Sequence, residues 1–170
     1  MQTAIPADYR LEYLYQHVDR DEESGIGIWL DHFKSSLDRS EFRACEQLLR
    51  LAQHSQSLAS RSQGRAAVLQ NGGLLHLFQG DIPIAKIYFT RALKLYQGLH
   101  DSYNVAQTLT NLGEAERLQG NWSVALTLYE KSLSIHRHLR GNPLGLAQVQ
   151  NNLGLVLMSL GRWTESEQSF

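Results

Sequence analysis

An all-α solenoid of stacked antiparallel helix pairs is the fold class this sequence predicts, on three observations. A block of residues recurs every 40 or 41 positions, each half of the block carries an apolar stripe of helical period, and a glycine separates the halves of the clearest blocks. Composition agrees. Hydrophobic residues make up 42% and charged residues 19%, and there are three prolines to interrupt helices.

The clearest block runs Asn111-Leu112-Gly113, then Gln119-Gly120-Asn121-Trp122, then Ala125 and Tyr129. It recurs as Asn152-Leu153-Gly154, Leu160-Gly161-Arg162-Trp163, Ser166 and Phe170, and earlier as Asn71-Gly72-Gly73, Gln79-Gly80-Asp81-Ile82, Ala85 and Phe89. One more step back lands on Phe42, Cys45 and Leu49, again aromatic, small and large apolar, and Ala92 maps onto Ala52. A degenerate unit therefore precedes the three clear ones, with Trp29 in the slot later held by Leu69 and Leu109.

Taken in order, residues 1–25 lie outside the repeat. Tyr9, Leu11, Tyr13, Leu14, Tyr15 and Val18 suit a short amphipathic helix capping the first unit, ahead of the acidic stretch Asp19–Glu23. Residues 26–64 hold the degenerate unit and a linker, and residues 66–170 hold three repeats, the last truncated. Helix pairs are expected at about 26–36 with 40–54, 66–79 with 82–98, 103–119 with 122–139, and 144–160 with 163–170. Ser55–Gly64, Gly98–Ser102 and Gly141-Asn142-Pro143 supply the connectors. Gly73, Gly113 and Gly154 allow close helix approach, and Gly80, Gly120 and Gly161 end the first helices in a left-handed conformation. Phe170 falls mid-helix, so Leu157 and Leu160 are expected to be partly uncovered. Either the chain continues as a longer array or the open end pairs with another copy, giving a homo-oligomer.

Several function classes are disfavoured. A formal net charge of -1 argues against nucleic-acid binding through phosphate neutralisation. No apolar run reaches membrane-spanning length and Met1–Arg10 has no signal-peptide core. With Cys45 the lone cysteine, no intrachain disulfide is available and a cytoplasmic location is expected. His136 and His138 stand two apart on a helix and point to different sides, so no metal site is expected. Arg137, His138 and Arg140 suit a helix C-terminus. No nucleophile and base are paired, and neither an enzyme nor a cofactor is expected.

The order Leu–Gly, Gly–x–aromatic, Ala, aromatic resembles the tetratricopeptide repeat. That resemblance implies a right-handed superhelix and a protein-binding role. The usual unit is about 34 residues; the longer period here is more similar to kinesin light chain and Pins-type arrays. Leu11-Glu12-Tyr13-Leu14-Tyr15 leading to Asp21-Glu22-Glu23 is similar to the lead-in to repeats in large bacterial regulators with a nucleotide-binding switch (STAND-type). The alternative reading is therefore a sensor or oligomerisation arm that contacts its own switch domain or another copy. A phosphate-binding G-x-x-x-x-G-K loop is absent from this sequence.

In such arrays the first helices line the concave face. Asn71, Asn111 and Asn152 share one slot, preceded by Gln70, Thr110 and Asn151, and followed by Leu74, Glu114 and Leu155, then Leu77, Arg117 and Met158. A carboxamide offers two donors and an acceptor, so an Asn column suits the main chain of an extended peptide. The resemblance implies the same use of Asn here. The resembled family's clamp for a C-terminal carboxylate uses Lys and Arg in nearby slots; Arg117 is the one cation there, and Leu74, Leu77, Phe78, Leu155 and Met158 suggest apolar pockets instead. The expected partner is a protein or peptide, with no nucleic acid and no membrane.

Overall fold

The computed structural model describes residues 13–14, 17–19, 22–139 and 143–161, with 22, 23, 56 and 57 described by backbone alone. Among the described residues eight helices are bounded: α1 (Glu22–Asp38), α2 (Phe42–His54), α3 (Gln56–Ser60), α4 (Ser62–Phe78), α5 (Ile82–Gly98), α6 (Ser102–Leu118), α7 (Trp122–His138) and α8 (Pro143–Ser159). No strand occurs among the described residues. Most of the expected cap, the Gly141-Asn142 connector and the final half-helix with Trp163, Ser166 and Phe170 lie outside the described residues.

The pairs α4–α5 and α6–α7 pack most extensively, and α7 packs on α8. Glycine sets their separation. A Cβ built on Gly73 would lie 2.5 Å from Phe89 Cε1, and one on Gly113 would lie 2.7 Å from Tyr129 Cε1. Both rings are fully buried, so each ring fills the space where a side chain on the first helix would stand. The pair α1–α2 solves the same packing problem in reverse. Phe33 occupies the glycine slot and is fully buried, while the aromatic slot holds the half-buried Leu49. Phe33 packs on Trp29 with ring centroids 5.0 Å apart, and the Trp29 indole donates to Leu48 O at 2.9 Å. These bulky rings hold α1 off α2, and the two helices share a much smaller contact than the later pairs.

The turns within pairs follow one pattern. Asp81 N donates to His76 O and Gly80 N to Leu77 O; Asn121 N donates to Glu116 O and Gly120 N to Arg117 O. This closure needs a left-handed residue, supplied by Gly80 (φ 84°) and Gly120 (φ 79°). In the degenerate unit the same slot is Ser40, held at φ 58° by the equivalent bonds from Ser40 N to Leu37 O and Glu41 N to Ser36 O. A Cβ is strained there, so Ser40→Gly is expected to raise stability by about 0.5–1 kcal/mol, after the extra entropy of an unfolded glycine. Urea denaturation checks this, and a loss of stability would mean the turn is not under strain.

The connector Ser55–Gly64 is not the irregular linker the polar composition suggests. Ser55 caps α3, its Oγ accepting from Leu58 N at 3.2 Å, and Leu58 is fully buried. One apolar side chain and one capping hydroxyl make the segment helical. Ser55 Oγ also donates to Asp19 Oδ1 at 2.7 Å, and Leu14 and Val18 are buried in the cluster formed by α1, α2 and α3. Tyr13 stays outside it, stacked on His17 at 3.9 Å. Cys45 is buried, and burial followed by Glu41 pushes its thiol up to about 11, as suits inert packing. At the other end Leu157 is buried rather than uncovered, and Leu160 is half-buried.

His136, buried on α7, sets a pH dependence. Burial lowers its pKa from 6.5, so the fold favours the neutral ring and the unfolded chain takes up the proton first. Its contribution is complete above pH 6.5 and is lost as pH falls below that value. The urea midpoint is expected to drop between about pH 7 and pH 5.5, and to drop less in His136→Leu. Equal drops in both proteins would exclude His136 as the source.

Candidate peptide-binding face

Curvature decides which residues face a ligand. The first helices of neighbouring pairs touch, α4 with α6 and α6 with α8, whereas the second helices α5 and α7 make no comparable contact. The stack therefore bends with its first helices on the inner side.

Asn71, Asn111 and Asn152 occupy equivalent positions on those helices and are all half-buried. Their hydrogen bonding differs. Asn71 Nδ2 donates to Ala67 O at 2.9 Å, one turn back. Neither Asn111 nor Asn152 has a side-chain hydrogen bond within the described structure, and both amides, with two donors and an acceptor each, reach solvent.

The flanking slots split in two. One turn on, Leu74 is half-buried between repeats, Glu114 is half-buried and Leu155 is exposed. A further turn brings Phe78, 64% exposed, and Leu118, 50% exposed. These two follow the Asn by seven residues, the heptad step of an inner stripe. Leu77, one position earlier, packs against the cluster of Ala85, Phe89 and Leu112, and Arg117 in the same slot of α6 bonds Glu114 on its own helix. Met158, in that same slot of α8, stays 38% exposed. Gln107 and Gln148, four residues before Asn111 and Asn152, complete the stripe. The i, i+4, i+7 spacing of an amphipathic face points to Gln107, Leu118 and Gln148.

Thr110 is a correction. It is 3% exposed, and its Oγ1 donates to Ala106 O at 3.1 Å and lies 2.8 Å from Ser132 Oγ on α7. A position next to Asn111 in sequence is rotated about 100° around the helix, which turns Thr110 into the pair interface and away from any ligand. Gln70, in the matching slot of α4, accepts from Thr108 Oγ1 at 2.8 Å and ties two repeats together. Asn151 is exposed.

Glu114 and Arg117 satisfy each other. Arg117 Nε donates to Glu114 Oε2 at 2.7 Å and Arg117 Nη2 to Oε1, while the Tyr129 hydroxyl donates to Oε2 at 3.0 Å. These bonds, the one from Arg117 foremost, hold the Glu114 carboxyl below its usual range. Arg117 is therefore engaged internally and is a poor seat for a ligand carboxylate. No cluster of three or more His, Cys, Asp or Glu side chains with metal-binding geometry occurs among the described residues. No described helix is long and apolar enough to cross a membrane.

Tetratricopeptide repeat models match residues 64–138 and 146–170, over the glycine–aromatic pairs that set the helix spacing. The chain belongs to the tetratricopeptide repeat family. This array is similar in fold to the crystal structure of BtubC (BKLC) from P. vanneervenii, with a TM-score of 0.76 and 19% sequence identity, covering 96% of this chain and 68% of that one. No curated protein sequence matches the chain. Tetratricopeptide arrays mediate protein interactions, and that general role extends to this one.

Proposed function

We propose that the inner face of this array binds an extended peptide, with the Asn column bonding the peptide main chain and the exposed apolar residues receiving its side chains. The observation that carries this reading is the pair Asn111 and Asn152: two half-buried amides in one slot of successive repeats, with no hydrogen-bond partner among the described residues. Both amides reach solvent, so a peptide N–H and C=O can take the place of water on their donors and acceptor. Phe78, Leu118 and Leu155 lie on the same side, exposed, and suit apolar peptide side chains. The internal Glu114–Arg117 pair favours an uncharged main chain over a terminal carboxylate. In this reading the array is a non-enzymatic binding module.

The test is a peptide selected by display against the whole chain, followed by photo-cross-linking. A photoreactive residue at Gln107, on the inner stripe, is expected to capture it. The same residue at Lys131, exposed on α7, is expected not to. Capture at position 131 alone would place the peptide on the outer side and overturn the proposal.

A further inference from the structure

A second recessed site lies away from the Asn column. A cleft of about 660 Å³ opens between α2, α3, α4 and α5. Its walls are apolar: Leu49, Leu58, Val68, Leu69 and Leu95, with Tyr88 alongside. It exists because the pairing of the first unit is irregular. The half-buried Leu49 stands in place of an aromatic ring, and α3 is inserted between α2 and α4, so α2 packs on α4 far less than α5 packs on α6.

Three cations line the same cleft: Arg65 from the first turn of α4, and Arg91 and Lys94 one turn apart on α5. All three are exposed, and none forms an ion pair within the described structure. No acid lines the cleft. The charge of the lining is one-sided, three cations and no acid, in a chain whose net charge is -1. An apolar recess of about 300–1,000 Å³ with a few convergent polar groups is the general form of a small-molecule site.

We infer that this cleft binds a small amphiphilic organic anion, a carboxylate or sulfonate on an apolar body, with the body against Leu49, Val68, Leu69 and Leu95 and the anion between Arg65, Arg91 and Lys94. The volume suits a compact ligand. A positive rim over an apolar floor selects against both a neutral hydrocarbon and a bare inorganic anion. This site is independent of the peptide reading, since no lining residue belongs to the Asn column.

Decanoate, decan-1-ol and inorganic phosphate, titrated calorimetrically into the full chain, test the proposal. Decanoate is expected to bind saturably at one site, decan-1-ol about tenfold more weakly, and phosphate not detectably, since a charge-assisted contact of about 1.5 kcal/mol corresponds to that factor. The double variant R91E/K94E changes exposed side chains. It is expected to keep the wild-type melting temperature and lose at least about tenfold in decanoate affinity, and Arg65→Gln is expected to show a smaller loss. Absence of saturable decanoate binding, equal binding of decanoate and decan-1-ol, or unchanged affinity in both variants overturns the inference. So does tight binding of a Glu/Leu-rich peptide at this cleft with none of decanoate, which would assign the cleft to a protein segment.

Discussion

Gly113→Leu is expected to destabilise the array by about 3 kcal/mol or more, since overpacking a filled core forces backbone shifts. The reason is local. A Cβ alone at this position meets the Tyr129 ring at 2.7 Å, and the ring is fully buried and bonded to Glu114 through its hydroxyl. It has no room to retreat, so α6 must lift off α7. The control is Gly27→Ala, where a new Cβ meets nothing within 4 Å; it is expected to gain up to about 1 kcal/mol of helix propensity. The first unit suggests a rescue, because it seats Phe33 in the glycine slot and Leu49 in the aromatic slot. Tyr129→Leu made in a Gly113→Phe background is expected to recover at least about 1 kcal/mol, read as a coupling energy in a double-mutant cycle. Strict additivity would show that slot exchange does not explain the first pair.

The repeat was legible because its spacing is carried by residues whose removal or replacement changes helix geometry. Gly80 and Gly120 mark left-handed turns, and Gly73 and Gly113 each face a buried ring. Helix limits followed from these marks to within a few residues at α5 and α7. The first unit was harder to read because its geometry is the same but its residues are not. Ser40 takes the left-handed turn without glycine, and Phe33 exchanges places with the ring of the second helix. The α3 helix was hidden because a polar stretch needs only Ser55 as a cap and Leu58 as an anchor to become helical.

The site was legible in part. Repeat phase located the Asn column, because equivalent positions on stacked helices share a side. It could not separate Thr110 from Asn111, since one residue rotates a side chain by about 100° and the Thr110–Ser132 bond is made only on folding. The inner stripe runs through Phe78 and Leu118, while Leu77 packs between helices and Arg117 is held by Glu114. The cleft bounded by Arg65, Arg91 and Lys94 has no periodic signature, because it arises where the repeat departs from its own pattern.

The second large effect concerns binding. Replacing Asn71, Asn111 and Asn152 together by Ala is expected to cost a peptide ligand about 2–4 kcal/mol, or roughly 30-fold to 1000-fold in Kd. Asn111 and Asn152 carry most of it, because Asn71 already donates to Ala67 O. The melting temperature is expected to change little, since Asn111 and Asn152 have no side-chain bonds within the described structure to lose. The decisive measurement is the affinity of one display-selected peptide for the wild-type chain and for this triple variant, with both melting curves recorded alongside. The account predicts a large loss of affinity at nearly constant stability. Undiminished affinity in the triple variant, or a collapse of its melting temperature, would contradict it.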